Sequence, residues 1–386
     1  MDAKTWWRSA EDVDEDQRKF LTLPPDQEAT LLLGPPGSGK TNILLLRAIY
    51  LFRSGLPNVR VVTFNRTLTE FIKSGAEANG KISASQITTN INLQLGLVHE
   101  LTGRYVGRTP GQSFDEFRHI VSREAVDAVR HAGVSNTHYD ALLIDEVQDL
   151  WRDELVLFRS LTKRLFVAGD GRQRIYDRNE GIATATSELG CEVHRLVKHY
   201  RIGRAICRAA DRILSDDTYL LDEHCQYNEA ASKSSVKLHL HKDWEEQAIN
   251  LIRRLDSQLR AFPNEWLAVI APTREALKWI VERLESSHLS DKVKAHKTYQ
   301  DNADRTFDSS RPICVVTAHS AKGTEFRAVH LFAGEKLRRN VRQLGFTVIT
   351  RAKTALDVYA CEDIRAELQS ALSEERVATL EELFNE

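Results

Sequence analysis

The 386-residue sequence predicts an α/β protein with two parallel-sheet domains and a small helical insert in the first. Three observations predict it. Short runs of Val, Ile, Leu and Ala recur along the chain, helical patterns separate them, and the whole series starts twice. Continuous apolar runs, rather than strict alternation, suit strands covered on both faces.

The expected strands of the first series are ATLLLG (29–34), VRVVTF (59–64), ALLIDE (141–146) and RLFVAG (164–169). Those of the second are SVKLHLH (235–241), EWLAVIAP (265–272), PICVVTA (312–318), AVHLFA (328–333) and ALDVYA (355–360). Helical spacing marks 243–260 and 274–287 between them. It also marks 114–132, inside a mostly helical insert at about 75–138. The division falls between 1–190 and 191–386, and the polar stretch 298–311 reads as a loop.

Composition narrows the function classes. No run approaches the roughly 18 apolar residues of a membrane span, and the amino-terminal stretch is polar and acidic rather than a secretory signal. A cytoplasmic protein is expected. The cysteines (Cys191, Cys207, Cys225, Cys314, Cys361) are scattered without a CxxC pair, which argues against a zinc site or a disulfide framework. The net charge of −2 gives nucleic acid no global attraction, so any such binding needs a local groove.

GPPGSGKT (Gly34, Pro35, Pro36, Gly37, Ser38, Gly39, Lys40, Thr41) follows an apolar strand and opens an amphipathic helix. That context makes it a phosphate loop, with backbone N–H groups and a helix N-terminus facing anionic oxygens. Lys40 would reach the β- and γ-phosphates of ATP, and Thr41 would ligate Mg²⁺. Mg²⁺ prefers oxygen ligands, and LLIDEVQD ends a second strand in two carboxylates. Asp145 can hold the ion directly or through water, and Glu146 can orient and deprotonate the attacking water. Asp170 and Gln173, in VAGDGRQRIY, would face the γ-phosphate from the same domain.

Taken in order, these motifs resemble the UvrD/Rep branch of superfamily 1 helicases. DEDQRKFL (14–21) resembles the Q motif, VVTFNRTLTEFI (61–72) motif Ia, and LLIDEVQD motif II. VAGDGRQRIY resembles motif III, LVKHYRIGRAI (196–206) motif IV, VVTAHSAKGTEF (315–326) motif V and FTVITRAK (346–353) motif VI. The resemblance implies two RecA-like domains with ATP between them. It implies that Gln17 reads the adenine, Tyr200 stacks on it, and Gly323 and Glu325 lie at the nucleotide, Glu325 taking the ribose hydroxyl. Arg201 and Arg351 would be arginine fingers, since a guanidinium fork matches phosphate oxygens and keeps its charge.

For nucleic acid, the resemblance implies Phe64 and Tyr176 as stacking platforms, Asn65 and Arg66 near phosphates, and Thr317 and His319 at the backbone. Phe64 could equally be a core ring at a strand end, and His319 a structural hydrogen-bonder. Two departures weaken the pattern: Arg178 stands where an aromatic is expected, and ITTNINLQ (87–94) replaces a TFH-like motif. Arg201, Arg204, Arg208 and Arg212 would share a helix face, open to an anionic partner or simply solvated. The large second-domain insert of family helicases is absent from the short stretch between motifs IV and V.

Two functions follow. One is an ATP-dependent translocase or helicase on single-stranded or tailed DNA, RNA not excluded, moving 3′ to 5′ in DNA repair or anti-phage defence. The other is a regulatory subunit that activates a partner nuclease without processive unwinding, like the compact UvrD-like partners of nucleases in prokaryotic anti-phage systems such as Gabija.

Overall fold

A computed structural model describes residues 9–64, 66–79, 83–173, 180–216, 219–300, 304–308, 310–361 and 364–373. The side chains of 71 and 74–79 are outside that description.

The first half runs α1 (Glu15–Leu21), β1 (Ala29–Leu33), α2 (Lys40–Arg53), β2 (Val59–Thr63), α3 (Arg66–Asn79), β3 (Ile87–Thr89), α4 (Asn90–Thr102), α5 (Phe114–Ala132), β4 (Ala141–Ile144), α6 (Arg152–Leu161), β5 (Leu165–Gly169), the short α7 (Gly181–Ala183) and β6 (Glu192–Arg195). Its strands form one parallel sheet, ordered β3-β2-β4-β5-β1-β6. The second half runs α8 (Arg204–Leu214), β7 (Ser235–Leu240), α9 (Trp244–Ala261), β8 (Leu267–Ala271), α10 (Arg274–Glu285), β9 (Val293–Ala295), β10 (Ile313–Thr317), β11 (Phe326–Leu331), α11 (Val341–Ile349), β12 (Ala352–Ala360) and α12 (Ala366–Leu372). Its sheet, also parallel, is ordered β7-β12-β11-β8-β10-β9.

The apolar runs have two covered faces, as their composition requires. Along β4, Leu142 and Ile144 enter one core while Ala141 and Leu143 enter the other. The second sheet is covered the same way: Val329 and Leu331 face one side, Ala328 the other. Helix ends are set by local chemistry. Ser113 and Glu116 form a capping box at the start of α5, and Gly133 closes it in the left-handed region.

Two expectations change. The chain leaves the first sheet only after β6, which pairs with β1, so the division lies beyond Arg195 rather than at 190. The expected helical insert also contains a strand: Ile87–Thr89 extends the sheet beside β2, and Thr89 then caps α4. The departure from a TFH-like motif therefore sits in a sheet edge and a helix start.

Candidate nucleotide site between the two sheets

The phosphate loop leaves β1 and enters α2 through Gly39, whose φ of 87° is readily adopted by glycine. Lys40 Nζ donates to the carbonyls of Gly34 (2.9 Å) and Pro35 (3.0 Å), so the ammonium is folded into the loop. Thr41 Oγ1 donates to Asp145 Oδ2 at 2.6 Å. These two oxygens, one from the start of α2 and one just after β4, form a hard-donor pair that fits Mg²⁺.

Asp145 and Glu146 follow β4. Burial, then the neighbouring Glu146, pushes the Asp145 carboxyl up to about 6. Glu146 is a non-glycine residue in the left-handed region, with φ 55°. Such a conformation costs of order 1–3 kcal/mol and persists where surrounding structure enforces it. Here the Gln148 side-chain amide donates to Glu146 Oε2, and Glu146 N–H donates to Asp145 Oδ1 at 2.9 Å. After β5, Asp170 accepts from Arg172 and, at 3.2 Å, from Gln173 Nε2. Burial opposes its ionisation, but Arg172 and Lys40 outweigh that and hold it below the usual carboxylate range.

The end of the cleft expected to take adenine is built from α1. Asp14 caps the helix and Gln17 returns the bond, so the capping box fixes the glutamine. Gln17 Nε2 then donates to Ser38 O at 2.8 Å, inside the phosphate loop. Arg47 of α2 is fully buried and ties α1 down through Leu21 O (3.0 Å) and Pro24 O (2.7 Å). Tyr200 closes this end: its hydroxyl donates to Asp14 Oδ2 at 2.6 Å, and its N–H to Gly37 O at 3.3 Å. Gln17, Gly37, Ser38, Gly39, Tyr200 and Arg201 line one small cleft.

The second sheet supplies cations. Arg351, 4% exposed, donates from Nη2 to Gln173 Oε1 at 3.0 Å and is fixed from behind by Thr347 O and Thr324 O. Arg201 pairs with Glu325 at 2.7 Å. Burial opposes ionisation of Glu325, but Arg201 and Lys353 hold its carboxyl below its ordinary value. In this arrangement Glu325 is engaged by Arg201 rather than open to a ribose. Gly323, with φ 80°, brings its backbone so near Leu68 of α3 that a Cβ would lie 2.8 Å from Leu68 Cδ2.

Sequence reasoning missed Lys322 and Asp149. Lys322, 1% exposed, donates to Asp149 Oδ1 and Gln173 O, each at 2.7 Å, and lies 3.8 Å from Glu146 Oε2. Both residues stand inside the quoted motifs, yet only the fold reveals that they meet.

The nucleic-acid candidates divide differently. Asn65 and Tyr176, like Arg178, lie outside the described residues. Phe64 is 8% exposed in the first core, with the Arg118 guanidinium 4.9 Å from its ring centroid. Arg118 is itself held by the buried Glu154, so the ring offers no free face to a base in this conformation. Thr317 is buried and donates to Ser320 Oγ at 3.0 Å, while His319 is exposed. Arg66 lines a groove of about 350 Å³ with Glu70, Lys73, Asn92, Asp304 and Arg305. Burial, then the charges of Arg66 and Arg274, disfavours ionisation of Arg305, whose buried Nε has no hydrogen-bond partner. Arg305 escaped the sequence reading because 298–311 carries no periodic signal, and Arg274 because the first residue of a helix gives no sign of what it meets across the fold. The arginine face of α8 is largely satisfied internally: Arg204 and Arg208 pair with Asp222, and Arg212 donates to Ala371 O.

A phosphate loop, a metal-suited Thr–Asp pair and a strained carboxylate on one parallel sheet, met by buried cations from a second, define a P-loop NTPase of two RecA-like domains. Residues 17–179 match a family model described as an AAA domain, and residues 312–359 match one described as a UvrD-like helicase C-terminal domain. Similarity to UvrD-like helicases thus lies in the carboxy-terminal stretch, and similarity to an AAA domain spans most of the amino-terminal half. A solved structure described as PRRSV helicase is similar at 15% identity, with a TM-score of 0.44, over 91% of this chain and 55% of that one. This chain thus spans little more than half of that helicase chain. No curated protein sequence matches. Among the described residues, no helix is long and apolar enough to cross a membrane.

Proposed function

We propose that this protein hydrolyses Mg·ATP and uses domain closure to move 3′ to 5′ along single-stranded DNA, with weak unwinding, in DNA repair or anti-phage defence. The observation carrying this reading is the contact of Arg351 with Gln173 at 3.0 Å, which joins the second sheet to the hydrolysis loop of the first. Thr41 and Asp145 would hold the metal, which would neutralise phosphate charge when bound. Glu146 would accept the proton of the attacking water. Arg351 and Arg201 would stabilise charge on the phosphoryl group. Because those cations belong to the other domain, turnover requires closure, and closure coupled to strand binding is what makes a motor.

The test is ATP turnover measured alone and with single- and double-stranded DNA and RNA. Strong stimulation by single-stranded DNA is expected, and none by any nucleic acid would remove the motor. One observation favours the second reading, a regulatory subunit for a partner nuclease. The chain between Arg201 and β10 is largely taken up by α8, β7, α9, β8, α10 and β9 of the second domain itself, so little is left for an inserted strand-separating domain. Copurification with a second subunit, together with turnover indifferent to DNA, would select that reading.

A further inference from the structure

The hydrolysis loop carries one cation that the chemistry above does not use. Arg172 stands between Asp170 and Gln173, and its side chain is only 17% exposed. Its backbone N–H donates to Asp170 Oδ1 at 3.1 Å, and its Nε donates to the same oxygen at 3.2 Å. Asp170 Oδ2 takes the Gln173 amide, and Gln173 Oε1 in turn takes Arg351 from the second domain. Asp170 therefore orients Gln173, and Arg172 orients Asp170.

The contacts of Arg172 continue past that carboxylate. Its guanidinium carbon lies 4.4 Å from the ring centroid of Tyr219 and 5.6 Å from that of Phe346. Both rings belong to the second half, Tyr219 just after α8 and Phe346 in α11. Tyr219 is itself held in place. Its ring stacks on His224 at 4.7 Å, and its hydroxyl donates to Val197 O. Asp211 of α8 accepts the next free N–H groups, those of Leu221 (2.8 Å) and Asp222 (3.1 Å). A guanidinium can serve both sides at once, because its edge donates to a carboxylate while its face lies on an aromatic ring. Contacts thus pass between the halves twice around one loop, from Arg351 to Gln173 and from Arg172 to Tyr219.

We propose that Arg172 is a positioning residue: pinned by the Tyr219 ring of the second half, it holds Asp170, and through it Gln173, in the geometry that hydrolysis needs. The inference rests on the ATPase reading above and adds a second route by which the hydrolysis loop senses closure. Opening that withdraws Tyr219 would free the guanidinium and loosen Asp170. A misplacement of about 1 Å can cost roughly 10²-fold in rate. A residue outside the lining of the nucleotide cleft can therefore govern turnover.

The test is steady-state ATP turnover of the full chain beside hydrogen exchange read by peptide mass. Arg172→Met and Tyr219→Leu should each lower kcat about 10–100-fold, with KM within about threefold. The double variant should be no slower than the worse single one, because either change breaks the same link. Tyr219→Phe keeps the ring and should restore kcat to within about threefold of the unmodified chain. Should Arg172→Met not fold, Arg172→Lys, which keeps the charge without the plane, takes its place. Losses that multiply in the double variant, or Tyr219→Phe as slow as Tyr219→Leu, would overturn the proposal. Hydrogen exchange does not depend on turnover. Arg172→Lys should speed it in peptides covering 219–225, and Tyr219→Leu should speed it in 165–173. Exchange unchanged in both stretches would equally overturn the proposal. An unmodified chain that binds ATP without turning it over would instead remove the ATPase reading, and exchange alone would then decide whether Arg172 links the halves.

Discussion

The two sheets deliver opposite charges to one cleft. The strand ends of the first gather Asp145, Glu146, Asp149 and Asp170, while the loops of the second bring Lys322, Arg351 and Arg201. Each set is costly alone. Burial pushes the Asp149 carboxyl up to about 6, against the pull of Lys322, and lowers the pKa of Arg351 despite Glu146, Glu325 and Asp170. A buried charge without its partner costs several kcal/mol. The difference teaches that each sheet leaves charges incompletely compensated, and that the closed cleft is where they are offset.

If that division of labour is right, the largest effect comes from the cation nearest the hydrolysis loop. Arg351→Ala should lower ATP turnover about 10³–10⁵-fold, with nucleotide affinity changed far less. Glu146→Gln should cost about 10²–10⁴ in turnover while a fluorescent nucleotide still binds. Steady-state kinetics beside equilibrium binding separate the two quantities. Either variant turning over near the unmodified rate would remove that group from the chemistry.

The pairing can be broken from the second side at Lys322. Lys322→Met leaves Asp149, fully buried, facing a methyl group. The loss should be about 3–5 kcal/mol, read by denaturant unfolding. Adding Asp149→Leu should recover most of it, because two apolar partners replace a severed ion pair. A double variant no more stable than Lys322→Met would show that the pair does not couple the sheets.

A pH change distinguishes the halves without mutation. His296 and His330 in the second domain are buried neutral, and burial lowers both to about 4. Unfolded histidines take up protons near 6.5, so between roughly 6.5 and 4 the unfolded chain binds more protons and stability falls as pH falls, by at most about 3 kcal/mol each. Asp145 and Asp149 act with the opposite sign. Their folded carboxyls protonate near 6 rather than at the ordinary 3.8, so they cost stability as pH rises across that window. Moving from pH 7 to 5 should therefore reduce hydrogen-exchange protection in β8, β10 and β11 more than in β1, β4 and β5. Stronger loss in the first sheet would reverse the contrast.

How much of this was legible depended on distance along the chain. β1, β4, β5, β8 and β10 could be read because strands covered on both faces need unbroken apolar runs. β3, β6 and β9 could not, because each is an edge of three or four residues paired on one side. The phosphate loop, Asp145 and Glu146 were visible because their chemistry is local. Gln17 was also anchored locally, by the Asp14 capping box. Lys322 and Asp149 are 173 positions apart, and neither motif announces the other. Phe64 shows the converse limit. The same sequence suits an exposed platform or a ring under Arg118, and helix α5, which carries Arg118, decides between them.

The smallest effect should appear at the groove where arginines of the two halves come near one another, its carboxylates Glu70 and Asp304 being paired with Lys73 and Lys294. Arg66 comes from the first domain, Arg274 and Arg305 from the second, and the first two disfavour ionisation of the third. A phosphate backbone would relieve that repulsion, and a contact of this kind carries no base preference. Arg305→Ala should weaken single-stranded DNA uniformly across sequences and reduce the slope of log affinity against log salt by about 0.7, the share of one phosphate contact on a single strand. Basal ATP turnover without DNA should stay unchanged, because Arg305 lines the groove rather than the nucleotide cleft. Fluorescence anisotropy at several salt concentrations reads the slope. A slope equal to that of the unmodified protein would mean that the repelling arginines do not hold the strand.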